Sequence, residues 1–250
     1  MTLRRRLLAS TVGLLSFSVM SIVIAAPAQA VSINLPDLTR GEGPTSAIVL
    51  LLSLTVLAVA PAILLMTTSF TKIIVVLSIT RNALGLQGVP PNQVLTGLAI
   101  FLSFFVMAPV LGVMNTDALQ PYLDGSLDFG PAFELASVPL ELFMLANTRP
   151  EELALMVKIS NETPPATPAD VSLTTLVPAF ILSELRAAFI IGFVVFLPFL
   201  IIDMVVSSGL MSVGMIMLPP VLVSLPFKLL LFVLVDGWAL IVTSLVNSYA

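Results

Sequence analysis

Five ionisable side chains stand in or beside the long apolar runs of the last third of this sequence: Glu184, Arg186, Asp203, Lys228 and Asp236. An ionisable group at bilayer depth costs at least about 2.5–3.5 kcal/mol, so such groups persist where a partner or a wet cavity receives them. Two kinds of chemistry are open to them: ion pairing within a helical hairpin, and proton relay. The first is the more ordinary. The sequence contains neither Cys nor His, which removes thiol nucleophiles, disulfides, imidazole or thiolate metal sites and His-based proton transfer. There is no G-x-S-x-G, no H-E-x-x-H and no phosphate-binding P-loop. Asp203 follows Leu200-Ile201-Ile202 and Asp236 follows Val233-Leu234-Val235, so neither lies in the G-x-G-D setting of an intramembrane aspartyl protease. The expectation is a protein that is not an enzyme, with no catalytic residue, cofactor or metal.

The pairing can be guessed from a hairpin. If the chain turns near Gly209, Glu184 lies 25 residues before the turn and Lys228 lies 19 after it. The match is approximate, but it makes Glu184–Lys228 the expected structural ion pair, within one chain or between neighbouring subunits. Lys228 and Asp236 are eight apart and share a face if one helix carries both. A buried pair of this kind holds geometry more than it adds net stability. Between the two runs lies a methionine-rich stretch, GLMSVGMIMLPP, with Met211, Met215 and Met217. Methionine is unbranched and deformable, so a ring of such loops can close an opening and still reshape around a passenger. The plainer reading is packing against lipid or core.

Composition fixes the elements that carry these residues. Of 250 residues, 58% are hydrophobic and 10% charged, with a mean hydropathy of +1.12. A soluble domain has about 25% charged residues, so the class is an all-α polytopic membrane protein. The net charge of −4 offers no basic surface to a nucleic acid.

Residues 1–30 read as a secretory signal: Arg4-Arg5-Arg6, an apolar run, and Ala28-Gln29-Ala30 with cleavage after Ala30. The alternative is an uncleaved first helix. Residues 31–45 form an exported linker. Residues 46–114 form a first hydrophobic hairpin, with spans at Ser46–Met66 and Val94–Val113. The segment between them carries Lys72 and Arg81, which mark a cytoplasmic side, and reads as a helix through Leu84. Residues 115–172 form an acidic insert on the opposite side. Helices are expected there at Pro139–Leu145 and Pro150–Ile159, and the TPPATPA stretch is expected to be extended. Its nine carboxylates read as solvated surface, because no D-x-D-x-D-G calcium loop occurs. Residues 173–250 form a second hairpin with spans at Phe180–Ile202 and Ile216–Val235. The recurrent prolines suggest kinked hairpins that pack against other subunits.

Four stretches carry a resemblance: PAILLMTTSFTKIIVVLSITRNALG, VPPNQVLTGLAIFLSFFVMAPV, SELRAAFIIGFVVFLPFLIIDMVV and LPFKLLLFVLVDGW. They closely resemble the FliP family of flagellar biosynthesis proteins and its injectisome counterparts. The resemblance runs from about Ser46 to the end of the sequence. It implies a type III export gate in which such subunits assemble with other copies of themselves, with FliQ and FliR, and with FlhA and FlhB. The ring they form encloses a pore for unfolded flagellar subunits, in contact with membrane lipid within the basal body at the inner membrane. In that assembly the hairpins stand largely above the membrane plane. The family's methionine gasket falls on Met215, Ile216 and Met217, with Ile in place of the middle Met. The family's Glu–Lys pair falls on Glu184 and Lys228. The remaining alternatives are an injectisome gate subunit, a small-solute secondary transporter, for which inverted repeats are lacking, and a lone structural anchor.

Overall fold

The computed structural model describes residues 44–160, 170–215 and 218–249, and these are helical throughout apart from turns. The signal, most of the linker, the TPPATPA stretch, Ile216 and Met217 lie outside the described residues. The chain divides into two units, residues 1–55 and 56–250. In order along the chain come α1 (Pro44–Met66), α2 (Phe70–Ala83) and α3 (Asn92–Met114). A π-helical turn (Asn115–Leu119) and a one-turn helix (Gln120–Leu123) lead into α4 (Phe129–Asn147) and α5 (Pro150–Ser160). The second hairpin is α6 (Leu173–Ser212), α7 (Pro220–Leu234) and α8 (Gly237–Asn247).

Apolar length explains the spans. α1, α3 with its continuation to Leu123, α4 and α6 are each long and apolar enough to cross a membrane. A bent pair, α7 and α8, qualifies as a fifth. The apolar side chains of α1 from Ile48 onward are largely exposed, as suits a helix meeting lipid or other chains. The helix expected through Leu84 is α2, and it is the central element. Ile73, Val76, Leu77 and Ala83 recur at helical spacing and are fully buried against Ala188 and Phe199 of α6, Phe232 of α7, and Ile241 and Leu245 of α8. Gly192 allows α6 to approach α2 closely: a Cβ there would lie 2.6 Å from Cδ1 of Ile79.

The acidic insert has more order than its composition suggests. α4 begins ten residues before Pro139 and runs through it, as a single proline removes only one ladder donor. Met144 of α4 packs with Leu176 and Phe180 in a second core, which anchors the insert on the first turns of α6.

Two expectations fail together in the second hairpin. The chain does not turn at Gly209. α6 runs 40 residues, through Pro178, Pro198 and Gly209, and stops at Ser212. A helix-interior glycine costs only about 1 kcal/mol, too little by itself to end a helix of this length. The stop lies at Gly214, whose φ of +77° is open to glycine. Its N–H bonds to the Met211 carbonyl at 3.1 Å, and the Met215 N–H bonds to the Leu210 carbonyl at 3.0 Å, the two bonds of a Schellman cap. Gly85 closes α2 in the same way. The second failure concerns Asp236. Its left-handed backbone (φ 50°, ψ 54°) breaks the last apolar run into α7 and α8, bent by 61°. Lys228 and Asp236 therefore share no helix face, and Asp236 is exposed at the corner.

Candidate functional site

The charges gather into two buried clusters, one at each end of α2, and one pair on the insert. At the start of α2, Lys72 projects from the same face as Val76 and Thr80, all three buried. Its Nζ lies 3.1 Å from Oε1 of Glu184, and the two side chains are 4% and 1% exposed. Glu184 belongs to the buried stripe of α6 that includes Leu176, Phe180, Ala188 and Gly192. The pair is surrounded by donors and acceptors. Lys72 Nζ donates to Ser248 Oγ at 3.2 Å and sits 3.6 Å above the ring of Tyr249. The Tyr249 hydroxyl donates to Oε2 of Glu184. Both carboxylate oxygens are therefore engaged, the condition under which a buried pair recovers its desolvation cost.

At the other end of α2, Lys228 Nζ lies 2.6 Å from Oδ2 of Asp203 and donates to the Ala83 carbonyl at 3.2 Å. Ser224 donates to the second oxygen of Asp203 at 2.5 Å. A cation at the last carbonyls of a helix also meets the negative end of its dipole.

The expected Glu184–Lys228 pair does not form within the chain: each residue has a different partner. The misplaced turn accounts for this. With the cap at Gly214, Asp203 and Lys228 stand 12 residues before and 13 after Met215, whereas Glu184 is a further five turns up α6. Lys72, expected to mark the cytoplasmic side of a helical segment, is turned inward by the helix periodicity onto Glu184. Arg81 is half-buried and spans the turn after α2, donating to Asn92 Oδ1 at 2.6 Å and to the Pro90 carbonyl at 3.2 Å.

Arg186 lies two residues past Glu184, off the buried stripe, with its side chain about half exposed. It pairs at 2.7 Å with Glu152 in the first turn of α5. That hydrogen bond holds the Glu152 carboxyl below the usual range. Among the described residues no three acidic side chains converge as a metal site would require. Met211 and Met215 are exposed around the Gly214 cap.

These positions fall within a region that matches known proteins. The profile of the FliP family covers residues 53–245. The chain belongs to the FliP family. The flagellar biosynthetic protein FliP of Bacillus subtilis (strain 168) is 52% identical over 217 residues, covering 87% of this chain and 98% of its own. That of Caulobacter vibrioides is 47% identical over 248 residues, covering 99% and 92%. That of Pectobacterium carotovorum is 50% identical over 209 residues, covering 84% and 81%. FliP membership and the apolar helices place the chain among multi-pass membrane proteins of the flagellar apparatus.

Sequence reasoning named every charged member of the three pairs except Glu152, which it counted as insert surface. It missed Ser224, Ser248 and Tyr249. The inward position of Lys72 was readable from its spacing to Val76 and Thr80. Tyr249 carried no comparable signal, because its partners lie 65 and 177 residues away in sequence.

Proposed function

We propose that this chain is a pore-forming subunit of the flagellar type III protein export gate, which passes unfolded flagellar subunits across the inner membrane. The observation that carries this is FliP-family membership across nearly the whole described fold. The surface agrees with it. Phe101, Phe104 and Phe105 on α3 and Phe189, Phe193 and Val194 on α6 are mostly exposed, which is far more apolar surface than an isolated soluble monomer carries. Other copies of the chain, FliQ, FliR, lipid, FlhA and FlhB are the expected surroundings. In this reading the chain does no chemistry of its own.

Met215, Ile216 and Met217 are the gasket of the resting pore. Support comes from the exposed Met215 beside a glycine-capped turn and from the deformability of methionine. Replacing Met215 and Met217 by Ala is expected to leave ring assembly intact and make the resting membrane leak ions and small solutes, measured by conductance or dye entry. An assembled, tight double variant removes the gasket assignment.

The function itself is tested by deleting the gene and scoring swimming and secreted hook and filament subunits, with a plasmid copy restoring the protein. Loss of both with restoration is the expected result. Intact swimming with loss of other secreted proteins assigns the chain to an injectisome instead, and intact swimming with intact secretion rejects the export reading.

A further inference from the structure

We propose that Tyr249, with Ser248, is a clasp that fixes the acidic insert to the helical hairpin across the buried Lys72–Glu184 pair. Four separated stretches of chain meet at this tyrosine. Its ring stacks on Phe143 of α4, with centroids 5.8 Å apart and planes 21° apart. Phe143 in turn meets the edge of Phe180 on α6 at 6.0 Å. The ring also receives the Lys72 ammonium, and the hydroxyl reaches Glu184. One residue earlier, Ser248 accepts a bond from Lys72. Tyr249 thus touches α2, α4 and α6 at once, through its ring faces and through its hydroxyl.

The local packing leaves a gap that such a clasp closes. Where the end of α4 and the start of α5 pass α6, a cleft of about 460 Å³ is lined by Thr148, Arg149, Ser183, Glu184 and Ser248. Continuous apolar packing does not hold the insert at that point. The other polar attachments there are Ser183, which donates to the Asn147 carbonyl and accepts from the Arg149 N–H, each at 3.1 Å, and the pair of half-exposed Arg186 with Glu152. Burial and the Glu184 charge keep the Tyr249 phenol protonated far above its usual range, so its hydroxyl remains a donor throughout the physiological range.

The absence of cysteine gives a direct test in the full-length protein in membranes. Ser183→Cys places a single thiol at the junction of insert and α6, where the native side chain is 2% exposed. Ala99→Cys, at a fully buried position of the α2–α3 core, reports on global unfolding. With Tyr249 present, both thiols should react slowly with a maleimide. Tyr249→Ala should accelerate labelling at 183 about tenfold or more, the population change expected when a charge-assisted bond and its ring contacts are lost, and leave position 99 unchanged. Tyr249→Phe, which keeps the ring and loses the hydroxyl, should fall between. An unchanged rate at 183 in Tyr249→Ala overturns the clasp, and so does equal acceleration at 183 and 99. If Tyr249→Ala fails to accumulate, Tyr249→Phe decides, and a rate equal to the parent overturns it.

Discussion

Replacing Glu184 by Ala destabilises the fold by about 3–5 kcal/mol, the usual cost of removing one partner of a buried pair. The cost arises at Lys72. Its side chain is 4% exposed and has Glu184 as its ion-pair partner, so the variant leaves an ammonium with a serine hydroxyl and an aromatic face. The Tyr249 hydroxyl loses its carboxylate acceptor at the same time. Glu184→Gln keeps an acceptor and a near-identical shape, and should cost less. The informative variant is the double replacement Glu184→Leu with Lys72→Met. Apolar residues of similar volume remove both charges together, and such replacements are often neutral or better. The double variant should therefore be more stable than Glu184→Ala alone, measured by denaturant unfolding in detergent. A double variant that loses the sum of the two single costs would show that the two side chains act independently.

The long apolar runs, the helical character of the segment between the first two spans, and most of the paired charges were legible in the sequence, because apolar length and buried charge are local signals; the membrane-length α4 inside the acidic insert and the pairing of Glu152 were not. Partner identity was not, because it depends on where a hairpin turns. VSSGLMSVGM contains two glycines, and composition does not distinguish a tolerated glycine inside a helix from one that ends it. Gly209 is of the first kind and Gly214 of the second. A five-residue error in the turn moved the expected partner of Lys228 from Asp203 to Glu184. The bend at Asp236 was equally hidden, since a left-handed Asp before Gly237 interrupts an apolar run without a proline. The gly-adjacent packing matters there: a Cβ on Gly237 would fall 2.2 Å from the Phe232 ring, so the corner fits only a residue without a side chain.

The two clusters have a common logic. α2 carries almost no exposed charge, yet both of its ends are fixed electrostatically, by Lys72 to α6 at one end and by Lys228 to its last turn at the other. Apolar packing along the helix is non-directional and tolerates sliding. An ion pair at each end sets the register of α2 against the hairpin, which is the best-attested use of buried charge. In the proposed gate, a subunit that presents its apolar faces and its Met215 turn to neighbouring copies needs that register.

Lys228→Ala is the second large effect, and its suppressor identifies the partner. The variant removes a side chain that is 3% exposed and leaves the Asp203 carboxylate, 24% exposed, with Ser224 as its remaining donor. Because Asp203 retains some access to water, the expected cost is about 2–4 kcal/mol, somewhat below the fully buried case. The Ala83 carbonyl also loses the cation that caps α2. If Asp203 is the group left stranded, adding Asp203→Asn to Lys228→Ala removes the uncompensated charge and recovers part of the stability. Adding Glu184→Gln instead does not, because Glu184 is held by Lys72 and Tyr249. Folded yield, ring formation and swimming of the two double variants should therefore differ, with the Asp203 pair the healthier. Recovery by Glu184→Gln, and none by Asp203→Asn, would mean that Lys228 reaches Glu184 in the assembled ring, and the pairing across subunits would replace the one within the chain.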